Sequence, residues 1–401
     1  MSRKEKCDMV VAGHICFDVI PDLRDTGKDF LNRFVPGKLI SIGDVTTSTG
    51  GPVSNTGIAL QKLGIATAFM GKVGRDFFGQ AVIDRLKQYG ADRTMAIVDG
   101  EATSYTLVIA PPGIDRIFLH HPGVNHTFGC ADVNFDLVAS ARHFHLGYPP
   151  LMRKMYAEGG RELSQIFRRA KEVGATTSLD MSLPDAAAEA GKVDWAAILA
   201  AVLPHVDLHL PSVEETLFML DRRRFEACKA EAAGKDVLDF IRVEDVDALG
   251  RRVLELGAKV AVLKCGHRGM YLRTGDRKTF AGFGRARPAD EADWSRRQLW
   301  EPSFHVPEIA SATGSGDSAI AGFLAALLRG LSCESCLKYA CAVGAFNVTA
   351  FDAVSGIRSW EETTRAIPGW KKNDIAIAVK GWKHDGVRRL WVGPDDSVLA
   401  R

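Results

Sequence analysis

Six short runs of apolar and β-branched residues, at 9–12, 66–70, 143–146, 176–179, 206–210 and 260–263, recur along the chain with helical patterns between them. A run too short for a helix and apolar on both sides of its backbone is a strand buried on both faces, and such strands joined through helices form a parallel sheet. One of the intervening patterns is legible residue by residue. Val82, Ile83, Leu86 and Tyr89 fall on one helical face, and Gly90 supplies the stop. The expected fold class is therefore α/β, a three-layer sandwich with a mostly parallel central sheet. A chain of 401 residues that is 46% hydrophobic can bury a core of that size.

The segment 105–121 breaks the rhythm, because TLVIA and RIFLH are strand-like runs joined by Pro-Pro-Gly-Ile-Asp, a hairpin signal. With 16–49 it is expected to form a small β-sheet lid (16–49 and 103–123) over the carboxyl ends of the main strands, where open α/β sheets bind ligands. The main domain is expected to run over 1–366. Within it, 274–303 is rich in Arg, Asp, Gly and Pro and reads as an insertion or mobile loop. Residues 367–401 read as an extension whose pieces AIAV and RRLWVG are strand-like and whose exposed tryptophans cover the core or a partner.

The formal net charge is +2 and the basic residues are scattered, so neither a nucleic-acid surface nor a membrane surface is implied and a small-molecule partner is expected. No segment approaches the roughly 20 apolar residues that span a bilayer, so a soluble, unprocessed chain is expected. The cysteines Cys7, Cys16, Cys130, Cys228, Cys265, Cys333, Cys336 and Cys341 lie mostly in apolar or helical stretches, unlike a disulfide framework, which points to a cytoplasmic compartment. Cys333 and Cys336 have CxxC spacing but lack a second Cys/His pair, and core packing is the better reading.

The stretch SATGSGDSAIAGFL at 311–324 is a small-residue turn running into an amphipathic helix that ends near Gly330. Free N–H groups at a helix start, with the macrodipole, form a site for phosphate oxygens, expected here at Gly314, Ser315 and Gly316. Asp317, in the first turn, is placed to take a proton from a hydroxyl while those amides hold a phosphoryl group. The competing reading is that Asp317 only caps its helix.

ATGSGDSAIAGFLAALLRG resembles the C-terminal signature of the ribokinase-like (PfkB-type) carbohydrate kinases, and GGPVSNTGIALQKLGIATAFMGKVGRDFFGQ resembles their N-terminal signature. The likeness extends through VVAGHICFDVI, TSYTLVIAPPGIDRIFLHHPG, ATTSLD, VDLHLPSVEET and AVLKCGHRGMYL, and so covers almost all of 8–365. The resemblance implies phosphoryl transfer from ATP with Mg2+ to a hydroxymethyl group of a sugar, sugar acid or nucleoside, with Asp317 as base. It makes Asp18 and Asn55 ligands of the acceptor hydroxyls, with Gly50 and Gly51 leaving room. It sets Lys264, Gly266 and Gly269 along the nucleotide, Cys341 beside the purine, and Glu215 on magnesium through water. It also makes the lid a candidate surface for a homodimer. The residues alone leave other roles open: Asn55 as a helix cap, Asp18 as a turn residue, Lys264 as a solvated lysine, Glu215 as a surface glutamate.

Four positions depart from the pattern. Ser212 stands where the family has Asn in Asn-x-x-Glu. Ser311 replaces an Asp that helps hold a monovalent cation, which argues against potassium activation. Cys341 replaces an asparagine, and Asp352-Ala353 replaces Gly-Ala, so the purine pocket is expected to differ. These changes favour the competing reading of a non-catalytic sugar or nucleotide sensor on the same fold, and the retained Asp317 opposes it. A dinucleotide-binding oxidoreductase is excluded because VVAGHICFDVI lacks Gly-x-Gly-x-x-Gly. His14, Phe17, Phe118 and His120 are candidates for acceptor selectivity.

Overall fold

The computed structural model describes residues 7–27, 30–111 and 117–397. Its strands in chain order are β1 (Met9–Gly13), β2 (Cys16–Pro21), β3 (Val45–Gly50), β4 (Thr67–Met70), β5 (Lys72–Gly74), β6 (Ala96–Val98), β7 (Tyr105–Ile109) and β8 (Ile117–His121). They continue with β9 (His143–Gly147), β10 (Thr176–Leu179), β11 (Leu208–His209), β12 (Val260–Lys264), β13 (Met270–Thr274), β14 (Gln298–Glu301), β15 (Lys383–Asp385) and β16 (Leu390–Val392).

Ten strands form one sheet in the order β15-β16-β14-β13-β12-β11-β10-β9-β1-β4. The six runs picked out in the sequence are its parallel half, β4 to β12. Period-two alternation divides their side chains between two cores. Met9 and Val11 face the helices Pro52–Lys62, Ser315–Leu328 and Cys333–Asn347, whereas Val10 and Ala12 face Arg161–Glu172, Trp195–Val202, Val213–Leu220 and Val243–Glu255. Cys333 and Cys336 are both fully buried in the first of these cores.

A second sheet, in the order β3-β2-β7-β8, stands apart from the first. Its β7–β8 pair is antiparallel as the hairpin signal implied, and residues 112–116 between the two strands lie outside the described residues, as do 1–6. On this sheet Asp18, Thr106 and His120 are cross-strand neighbours and share a face, while Phe17 and Tyr105 share the other.

Two expectations are corrected. The segment 274–303 is not a loose insertion: it carries β14 inside the main sheet and buries Phe280, Trp294 and Trp300 completely or nearly so. Its charged residues misled because they form ion pairs, notably Arg297 with Glu334 at 2.6 Å and Asp396 at 3.0 Å. In the tail, RRLWVG supplies β16, but AIAV at 376–379 is not a strand, and Trp370, Trp382 and Trp391 are partly or fully buried. β15 and β16 extend the sheet edge beyond β14.

Candidate active site

Five parallel strands end on one edge of the sheet, and each leads into a residue with a chemical handle: β1 into His14, β9 into Tyr148, β10 into Asp180, β11 into the turn before Glu215, and β12 ends at Lys264. The helices Pro52–Lys62 and Ser315–Leu328 bring their N-terminal turns to the same place.

The Ser315–Leu328 helix begins at Gly314, whose φ of +71° no L side chain adopts cheaply and where a Cβ would stand 2.6 Å from that of Ala353. The Ser318 N–H opens the helical ladder by donating to the Gly314 carbonyl at 2.9 Å, and the Ser315 N–H is committed to Ala312 at 3.2 Å. That leaves the Gly316 and Asp317 amides without a backbone acceptor, so Ser315 contributes no free donor to the anion site. Positions 312–316 are partly or fully exposed, and Asp317 immediately behind them is 1% exposed.

The Asp317 carboxylate is held by side chains from elsewhere, which removes the helix-cap reading. Asn55 Nδ2 donates to Oδ2 at 2.9 Å, the Tyr148 hydroxyl donates to Oδ2 at 3.1 Å, and Thr56 Oγ1 donates to Oδ1 at 3.3 Å. Burial raises the Asp317 pKa, and these donors and the Lys264 ammonium draw it partly back. Tyr148 reaches this point from a left-handed backbone, φ +64°, ahead of Pro149. Strain of that kind at a non-glycine residue marks a place where position matters more than comfort.

Asn55 does not cap its helix, which begins at Pro52 with Gly51 as N-cap. Lys264 is not a solvated lysine. Its ammonium lies 2.7 Å from Asp180 Oδ1, and 3.5 Å from where a Gly316 Cβ would stand. Burial opposes its charge, yet Asp180, Glu215 and Asp317 together raise its pKa. Asp180, fully buried, has its own pKa raised by burial and by those two carboxylates, and its Oδ2 makes no hydrogen bond. Glu215 sits in a capping box: its Oε2 accepts from the Ser212 N–H at 2.7 Å, and Ser212 Oγ accepts from the Glu215 N–H at 3.1 Å. The serine that departs from the family pattern is thus the residue that orients the glutamate.

On the lid side, Asp18 lies within β2 rather than in a turn, and burial pushes its pKa up to about 6. A side chain at Gly50 would collide with the Asp18 carboxylate, and one at Gly51 would meet His14 Nδ1 at 2.6 Å. His14 is 2% exposed, with its ring 5.2 Å from that of His120 and 6.2 Å from that of Tyr148. Phe17 points away, stacked on Phe78 at 5.4 Å, and so drops out as an acceptor residue. Phe118 shares the Asp18 face but is 53% exposed. Gly266 and Gly269 form the β12–β13 turn, with Gly269 packed against the Glu301 carbonyl. Cys341 is buried, its thiol 3.8 Å from that same carbonyl.

The profile of the pfkB family carbohydrate kinases matches residues 8–360. The chain belongs to that family. This PfkB-family kinase is 25% identical to a nucleoside kinase of Methanothermobacter thermautotrophicus over 347 residues, which span 86% of the chain and 90% of the relative. Its fold is that of a ribokinase from Arabidopsis thaliana solved with ribose and ATP, with a TM-score of 0.65, 18% identity, and coverage of 90% and 98% of the two chains. An Escherichia coli structure described as a ribokinase II with ATP and Mg2+ superposes with a TM-score of 0.62 at 19% identity, again covering 90% and 98%. In this kinase, Tyr148, Thr56 and Asp180 join the site without having been singled out by sequence. Their one shared signal is position: Tyr148 and Asp180 directly follow parallel strands, and Thr56 follows Asn55.

Proposed function

We propose that the protein transfers the γ-phosphoryl group of ATP to a hydroxyl, in the first instance a hydroxymethyl group, of a sugar or related small molecule. The observation that carries this reading is the Asp317 carboxylate, held by Asn55 and Tyr148 at the mouth of a glycine-led helix start beside the Lys264 ammonium. Asp317 removes the acceptor proton. The Gly316 and Asp317 amides, with Lys264, face the charge that builds on the transferring group, where fixed donors act most strongly. Asp18 and Asn55 orient the acceptor from the lid and core sides, and Gly266, Gly269 and Cys341 line the nucleotide side.

The residues present suit a magnesium ion. Three carboxylates, Asp180, Glu215 and Asp317, act on one ammonium, and Asp180 Oδ2 has no partner. Magnesium keeps much of its water and needs no full cage of protein ligands. Glu215 and Asp180 would hold it through that water, and its charge would offset the charge of the phosphates. At Ser311, a hydroxyl in place of a carboxylate argues against a monovalent-cation requirement. Eight unpaired cysteines favour a cytoplasmic setting, and the exposed Ile117, Phe118 and Leu119 of β8 favour pairing of two chains through the lid.

The test is a magnesium-ATP phosphorylation screen over pentoses, hexoses, sugar acids and nucleosides, with Asp317→Asn in parallel. Turnover of some acceptor is expected, reduced by about 100-fold or more in the variant. Equal rates for both proteins would remove Asp317 from the mechanism, and an absence of turnover on every acceptor would favour the sensor reading.

A further inference from the structure

The acceptor side of this cleft carries an unusual set of uncommitted polar atoms. Both ring nitrogens of His14, Nε2 of His120 and Oδ1 of Asn55 are buried and make no hydrogen bond within the protein. His120 is fixed through its other nitrogen, which lies 3.0 Å from Thr106 Oγ1, and Asp18 is its near neighbour across β7. Buried polar atoms left unpaired cost free energy, and several converging on one place point to a ligand that pairs with them.

The chemistry of the set says which ligand. Burial and neighbouring histidines push His14 well below its ordinary pKa and His120 down to about 4, so both rings are neutral near pH 7. A neutral imidazole offers one donor and one acceptor, and a hydroxyl offers the same pair in return. A carboxylate or phosphate only accepts, and here it would meet Asp18 and Asp317. Among the described residues, the charged groups acting on Asp18, His14 and His120 include no Lys or Arg. Two cations that act on neighbouring groups are committed: Lys264, which acts on Asp317, to Asp180, and Arg153, which acts on His126, to Glu189.

Resting on the kinase reading above, we propose that the acceptor is an uncharged polyhydroxyl compound whose hydroxyls pair with His14, His120, Asp18 and Asn55, and that the site discriminates against sugar acids and sugar phosphates. Selectivity of this kind comes as much from the unpaired negative charge a wrong acceptor would meet as from the bonds a right one makes.

The experiment compares kcat/KM for matched pairs: ribose with ribonate, fructose with fructose 6-phosphate, and glucose with gluconate, alongside adenosine and 2-dehydro-3-deoxygluconate. The neutral partner is expected to be preferred by about 100-fold or more. Asp317-dependent transfer with equal or greater preference for the acids overturns this inference and leaves the kinase reading intact. If nothing is phosphorylated, the kinase reading fails instead, and titration calorimetry of the same compounds decides the inference, which falls if no neutral compound binds more tightly than its acid. Within the neutral class, His14→Leu is expected to raise KM at least 10-fold with a smaller change in kcat, and His14→Asn, which restores a donor and an acceptor, to recover most of it. His120→Arg is expected to shift preference toward the acids. A uniform loss across both classes for all three variants would reduce the histidines to a structural role.

Discussion

Lys264 holds a buried ammonium among Asp180, Glu215 and Asp317, and the cluster is stable only while that charge stays in place. Removing one member of a buried ion pair leaves the other uncompensated, at a cost of about 3 kcal/mol or more. Lys264→Met is therefore expected to lower the unfolding free energy by that order, read from denaturant midpoints, and Asp180→Asn in the same background to recover part of the loss. A double variant no more stable than Lys264→Met would show that the pair does not organise the cluster. Asp18 makes a separate statement in pH. Its carboxyl titrates at about 6, so below that value it is protonated and loses its full strength as an acceptor. Acceptor kcat/KM should rise with pH through that region and then level, and Asp18→Asn should lose that limb whatever its residual activity. Asp317, Asn55 and Gly314 were legible because each lies in a short local motif. Tyr148 and Asp180 were not, because their role depends on which strands become neighbours, and a single sequence does not state strand order.

The parallel strands were legible for a physical reason: buried on both faces, they read as unbroken apolar runs. The antiparallel half was legible only at RRLWVG, which supplies β16; β13 to β15 are short and mix charge with aromatic residues, and 274–303 and 368–401 explain each other only once paired. Lys372 pairs with the buried Glu301 and donates to the Arg389 carbonyl at 2.7 Å, and Trp382 packs on Trp300 and Tyr271 with ring centroids 6.3 Å away in both cases. Glu301, its pKa raised by burial to about 7, would lose its cation if the tail were removed. Ending the chain at Gly369 is expected to lower the melting temperature by several degrees, consistent with a loss of at least about 2 kcal/mol, and to admit protease cleavage within 277–297. An unchanged melting temperature would make the extension an appendage rather than the edge of the sheet.

At the scale of the whole molecule, the groups proposed to hold the acceptor are divided between two bodies, while those proposed to hold the nucleotide are not. Asp18 and His120 stand on the lid sheet, and Asn55, Tyr148 and Asp317 belong to the core, with His14 in the two-residue link from β1 to β2. Lys264, Glu215 and the Gly314 turn are all core residues. A ligand that contacts both bodies stabilises their closed arrangement by its differential affinity, and one that contacts only the core has no such leverage. Hydrogen exchange should therefore slow in β2, β3, β7 and β8 when a phosphorylatable acceptor is added alone, and the slowing should persist with ATP. ATP alone should slow exchange around 264–269 and 314–317 and leave the lid strands as they are. Equal protection of the lid by ATP alone would mean that the nucleotide reaches across the cleft, and the division of labour between lid and core would have to be redrawn.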